Sequence, residues 1–339
     1  MANDNRTIQG FSQTRKGLEF LSKHFLFDGF PCPELLEPIP ADKCNPSILG
    51  TAAEQVILLI VKRQSPNLKL PDNWLHFLPG RRNAQNKKKD AGAIQDYLRD
   101  GELTDNLLDY LICLGERRSR SCSLIRTAIR QQSAHRDALR KIHDAAARLE
   151  WKANHLAHSG RLARMFVAQA DLILDHALIE IKAVQSGCHH ERHLGQLFAY
   201  YLVSQAPVER VHPFEIKQLA IYYARHGTLI KHSVSKLIRF PIEDVKLIAF
   251  NFLVECELQR FGGDQKWRND CFNRLLRAVN PRPSWLREAL DREQRRVAAR
   301  WKSNLHDSRV RRINVPDGFL VEGVRARLQL PISPKRKAS

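Results

Sequence analysis

The 339-residue chain has 27% charged and 43% hydrophobic side chains, a composition that builds a folded, water-facing protein and excludes a fibrous or low-complexity one. Its 55 Lys and Arg outnumber 36 Asp and Glu, and the formal charge of +19 points to a polyanionic partner, nucleic acid most economically, through phosphate contacts and counterion release. No apolar run approaches the length of a membrane span, and MANDNRTIQG carries no apolar signal core, so the expectation is a cytoplasmic protein without a membrane partner. Seven cysteines with no C-x-x-C pair argue for reduced thiols rather than a disulfide frame or zinc site.

In chain order, residues 1–45 read as an N-terminal wrap, weakly helical around Phe20 and Leu21 and Pro-rich from Pro31 to Pro46. The spacing then predicts a helix over 48–62, mostly apolar, with Glu54 as its odd member, costly there unless paired, hydrogen-bonded or exposed. Residues 66–90 read as loop-rich with a basic tip, and helices are expected at about 91–100, 103–115 and 122–155. Arg126 with Arg130, and Arg136 with Arg140, share a face of the last helix: either a solvated stripe or a phosphate-contacting one. Together residues 64–155 read as a helical insertion within a core spanning 46–263.

A strand is expected at 161–169, followed by two apolar runs, Ala170–Leu174 and Ala177–Val184, parted by Asp175 and His176 as a two-residue turn. That register opposes Leu174 to Ala177, Ile173 to Leu178, Leu172 to Ile179 and Asp171 to Glu180. Directly opposed residues have Cβ atoms about 4.5–5.5 Å apart, so two acids so placed repel, and a divalent cation between them would remove the penalty. Glu180 and Lys182, two apart, share a face. Taken alone, the hairpin is explained more cheaply as a partly exposed edge whose charges are solvated. His189, His190 and His193 beside Cys188 make a weaker candidate for a metal site.

Downstream, a helix over 192–203 carries Gln196 and Tyr200 as a polar stripe at i and i+4. Strands are expected at 215–224 and 228–234, a helix at 242–261 stopped by Gly262 and Gly263, then helices near 266–279 and 284–301 and a late strand at 318–330. Residues 264–339 hold 19 Lys and Arg against 8 Asp and Glu, a basic, mostly helical extension ending in a flexible PKRKAS tail.

The order of a first helix with Glu54, three strands with Asp171 and then Glu180-Ile181-Lys182, and a second helix with Gln196 and Tyr200 resembles the PD-(D/E)XK nuclease superfamily, nearest its RecB-type branch, over about residues 50–234. The stretch GTAAEQ and the strand IKQLAIYYARHG look like uncharacterised bacterial members. Ala170 stands where the family name has proline, and neither a four-cysteine cluster set nor a motor motif is present. The resemblance implies an α/β (α+β) fold with a restriction-endonuclease-like core, a central mixed sheet flanked by helices. It implies Mg²⁺ or Mn²⁺ held by Asp171, Glu180, the carbonyl of Ile181 and Glu54, with Lys182 positioning the attacking water and Gln196 and Tyr200 steadying the site. The implied activity is phosphodiester hydrolysis, DNA favoured over RNA, in repair or phage defence, with any motor subunit a separate protein. The alternative is a catalytically silent relative that binds nucleic acid or serves as a scaffold.

Overall fold

The structure, a computed structural model, describes residues 8–29, 37–68, 84–118, 132–158, 170–185, 190–206 and 215–260. Helix α1 (Ile8–Ser12) and α2 (Arg15–His24) open it, the second capped by Thr14, whose Oγ1 accepts from Gly17 N at 3.1 Å. Helix α3 (Pro46–Gln64) begins where Asn45 Oδ1 accepts from the amides of Ser47 and Ile48, with Pro46 in the first turn, where a missing N–H does no harm. Helices α4 (Ala84–Asp100), α5 (Asp105–Arg118) and α6 (Gln132–Ala147) follow. Then come strands β1 (Leu156–His158), β2 (Leu172–Leu174) and β3 (Ala177–Lys182), helix α7 (His190–Gln205), and strands β4 (Gln218–Tyr223) and β5 (Thr228–Ser233). A short helix α8 (Val234–Leu237), a 3-10 turn (Ile242–Asp244) and α9 (Val245–Arg260) close the described chain.

The five strands form one mixed sheet in the order β1-β2-β3-β4-β5, antiparallel throughout except for the parallel pair β3–β4, whose crossover is α7. Side-chain alternation splits the sheet between two cores. Ile173, Leu178, Leu219, Ile221 and Tyr223 pack with α7, α9, α1 and α2, whereas Leu172, Ile179, Ile181, Ala220 and Tyr222 pack with α3 to α6. Each fully buried aliphatic side chain contributes about 1.5–3 kcal/mol, so both layers hold the sheet. Helix α3 lies in the middle of the second core, buried from Ile48 to Val61 on nearly every side, which is why its sequence is apolar with no clear polar face. Leu107, Leu139 and Ile142 of α5 and α6 share that core with Ile179, so these helices elaborate it directly.

The fold differs from the sequence reading in four places. The strand that pairs with β2 is Leu156–His158, just beyond the helix expected over 122–155; helix α6 stops at Ala147 and the expected strand at 161–169 lies outside the described residues. The reason is local: Trp151 turns inward, its Nε1 donating to Ala146 O at 2.9 Å, and Asp175 Oδ1 accepts from the amides of Asn154 and His155, holding that chain against the hairpin. Residues 84–90, expected as loop, begin α4. The basic stripe of α6 is partly exposed but ion-paired at its described members, Arg136 with Asp105 and Asp109 of α5, and Arg140 with Asp105. The 3-10 turn replaces the expected first turn of the helix at 242. Arg126, Arg130, the stop at Gly262 and Gly263, and everything expected of 264–339 lie outside the described residues.

Candidate active site

The β2–β3 hairpin takes the expected register, Leu172 with Ile179, Ile173 with Leu178 and Leu174 with Ala177. Its turn is made possible by Asp175, at φ 48°, a left-handed conformation that Asp tolerates better than most side chains. Continued one step, the ladder would bond Ala170 to Ile181. Instead the Asp171 carboxylate takes over, Oδ2 accepting from Ile181 N at 2.8 Å, and β2 ends at Leu172. On its other side β3 bonds β4 through its even-numbered residues: His176 O accepts from Gln218 N, and Lys182 O from Ala224 N. Main-chain groups alternate along a strand, so the carbonyl of Ile181 is directed at the same edge as Asp171.

Glu180 and Lys182 project from β3 toward α7, on the face shared with Leu178. Lys182 Nζ donates to Glu180 Oε1 at 2.6 Å and to Gln196 Oε1 at 3.0 Å. Gln196 Nε2 in turn donates to Glu180 Oε1 at 2.6 Å and to the Tyr200 hydroxyl at 3.1 Å. The amide of Gln196 thus has its carbonyl on the ammonium and its nitrogen on the carboxylate and the phenol, which fixes its orientation. Glu180 is 2% exposed, Gln196 3% and Tyr200 4%, so the network is buried, with Asp171 and Lys182 half-buried at its margin.

Electrostatics follow from that burial. Desolvation, the Asp171 charge and a hydrogen bond between the two carboxyls push Glu180 up to about 8, against the opposing pull of Lys182. Burial alone would lower the Lys182 ammonium, but Glu180, Asp171 and Glu54 outweigh it and raise it, so it stays charged. An isolated ion pair would depress Glu180; here burial and the neighbouring Asp171 charge outweigh the Lys182 ammonium and favour the protonated carboxyl. Tyr200 is raised well above its ordinary value by burial and then by Glu180 and Asp171, with Glu54 adding to it, so its hydroxyl stays neutral while accepting from Gln196.

All five residues expected to act together, Asp171, Glu180, Lys182, Gln196 and Tyr200, are gathered here. Glu54, in the middle of α3 and half-buried, belongs to the helix on the opposite face of the sheet, and its charge is felt at Lys182 and Tyr200. Among the described residues no three His, Cys, Asp or Glu side chains form a set that could enclose a metal ion, so the arrangement does not bring Glu54 into a three-acid cage, nor His190 and His193 into a histidine one. A Mg²⁺- or Mn²⁺-type ion does not need such a cage. It is held by one or two carboxylates and keeps several waters and substrate phosphate oxygens. Two neighbouring acids at the edge of a parted strand pair, with a main-chain carbonyl directed there, are hard oxygen donors whose repulsion a cation would relieve, and they fit it.

Sequence reasoning missed the pairing of Tyr223 with Lys182 across β3–β4, and the hydrogen bond between Tyr223 and His190. The register of a parallel pair joined by a helix is set by packing, and no spacing in the sequence announces it. Compared with family models, with curated proteins and with solved structures, the chain finds no match in any of the three.

Proposed function

We propose that the protein is a metal-dependent nuclease of PD-(D/E)XK type that hydrolyses phosphodiester bonds, DNA being the favoured substrate. The observation that carries the reading is the closed network Lys182–Glu180–Gln196–Tyr200 set beside Asp171 at the point where β2 leaves β3. Asp171, Glu180 and the carbonyl of Ile181 would hold Mg²⁺ or Mn²⁺, with Glu54 adding negative potential from α3. Bound there, the ion supplies positive charge to the scissile phosphate and acidifies the attacking water.

The chain's own groups do the rest. Glu180 and Gln196 hold the Lys182 ammonium at the margin of the buried cluster, where it orients the water and stabilises the charge that develops on the phosphate oxygens. Tyr200, kept neutral, anchors the Gln196 amide, so the lysine cannot swing away. Attack in line forms the new water oxygen–phosphorus bond as the bond to the leaving 3′ oxygen breaks, leaving a 5′-phosphate and a 3′-hydroxyl by family analogy. The net charge of +19 suits a polyanionic substrate. Among the described residues no helix is long and apolar enough to cross a membrane.

Purified protein is expected to nick or degrade DNA in Mg²⁺ or Mn²⁺. Lys182→Ala should lower the rate by about a thousandfold while the circular dichroism spectrum and melting curve keep their cooperative form. A Lys182→Ala protein as active as the wild type would remove the site assignment. The second reading, a silent nuclease-like binder or scaffold, draws on the lack, among the described residues, of a third acid completing a metal cage. Salt-sensitive DNA binding with no cleavage across metals, strand forms and RNA would select it.

A further inference from the structure

The polar side of α7 does not end at the buried network. Its sheet-facing residues run Tyr200, Gln196, His193 and His190, each about one turn from the last. Beneath them on one face of the sheet lie Glu180 and Lys182 and, in register with Lys182 across the parallel pair, Tyr223. His190 Nδ1 is 2.6 Å from the Tyr223 hydroxyl, and the rings of His190 and His193 stand 6.2 and 6.0 Å from the Tyr223 ring. Tyr223 is wholly buried and His193 is 7% exposed, whereas His190 is half-buried. His190 is therefore where this stripe meets solvent.

We propose that His190 is a substrate-phosphate contact, meeting through Nε2 the phosphate that neighbours the scissile one. The identity of the substrate rests on the nuclease reading; the contact itself does not require cleavage. The two nitrogens of an imidazole lie on different sides of the ring, so tying Nδ1 to Tyr223 turns Nε2 away from the buried phenol. When Tyr223 donates to Nδ1, Nε2 carries the hydrogen, and a protonated imidazole presents the same N–H. An N–H donor held in one orientation suits a phosphate oxygen, with the charge-assisted strength of such bonds. Lys182 and Tyr223 sit on adjacent strands about 4.8 Å apart. A DNA strand whose scissile phosphate meets Lys182 would thus carry its next phosphate past His190.

The test uses the full chain and a fluorescein-labelled single-stranded DNA oligonucleotide in Ca²⁺, with affinity read by anisotropy for the wild type and for His190→Ala, His190→Gln and His190→Asn. The amide nitrogen of Gln overlays Nε2 and that of Asn overlays Nδ1, so the two variants separate the outward contact from the tie to Tyr223. His190→Ala should bind about tenfold more weakly, Gln should restore most of the loss and Asn should not. In the cleavage assay the same series should move KM more than kcat. Restoration by Asn but not Gln, alanine binding as well as wild type, or all three failing alike with a lowered melting midpoint would each overturn the assignment. A wild type that binds the oligonucleotide but cuts in neither Mg²⁺ nor Mn²⁺ would overturn the nuclease reading alone, leaving the binding series to decide His190. A wild type that binds no oligonucleotide would overturn the contact outright.

Discussion

Glu180→Gln isolates the electrostatic burden of the site from its shape. The substitution keeps a carbonyl oxygen for the Lys182 ammonium and the Gln196 amide, and removes only the titrating proton and the charge. In the folded protein burial and Asp171 hold the carboxyl at about 8, against 4.5 as the ordinary value. Between those two pH values the folded chain binds a proton that the unfolded chain has lost, so stability falls as pH rises. The penalty is absent below pH 4.5, grows through the interval and is complete above pH 8, where it amounts to a few kcal/mol in order of magnitude. Urea unfolding in chelator across this range should show wild type and Glu180→Gln nearly equal at the acid end and the variant progressively more stable toward pH 8. Added Mn²⁺ at pH 8 should then stabilise the wild type and leave the variant unmoved, since only a site that binds in the native state shifts the equilibrium. A stability difference that is flat with pH would show that Glu180 carries no raised proton. Equal stabilisation of both proteins by Mn²⁺ would remove Glu180 from the ligand set.

Two further substitutions test the scaffold around the site. At Gly195, next to Gln196, an added Cβ would lie 2.8 Å from Leu18 Cδ2 and 2.9 Å from Ser12 O, a backbone atom that cannot swing aside. Gly195→Ala should therefore cost about 1–3 kcal/mol in thermal unfolding and lower the cleavage rate by displacing α7, even though residue 195 touches no substrate; unchanged activity would show that α7 tolerates the shift. The Tyr222 hydroxyl is buried with no hydrogen-bond partner among the described residues, its ring packed edge-on against Trp151 at 5.2 Å. Tyr222→Phe should raise stability by about 1 kcal/mol in urea unfolding with activity unchanged, and a loss of stability would reveal a partner for that hydroxyl.

The hairpin was legible because its signals are local: period-two alternation, a turn pair that accepts a left-handed residue, and three charges that a packed strand avoids. Its register follows from those alone. Strand β1 was not legible, because Leu-Ala-His has little strand preference and is held by the Asp175 carboxylate on the amides before it, a contact made only once the hairpin exists. The basic stripe on α6 read as an open surface because the acids that neutralise Arg136 and Arg140 lie on α5, about 30 residues upstream in sequence. Glu54 was marked by its cost in an apolar helix, but the distance over which it acts depends on how α3 packs beneath the sheet.

The buried cluster bears on stability as well as on chemistry. Replacing a buried ion pair by well-packed apolar residues is often neutral or stabilising by about 1–4 kcal/mol, so stability alone gives little reason for Glu180 and Lys182 in this position. The strand pair is also interrupted here, with Asp171 substituting a carboxylate for a ladder bond to Ile181, and burial beside Asp171 raises the Glu180 carboxyl. These features coincide at one edge of β3, under the helix whose Gln196 completes the hydrogen bonds. A fold-specifying polar core would be satisfied by the same network with the acids kept apart. Under the nuclease reading proposed above, a bound cation would join the Lys182 ammonium in making use of their being together.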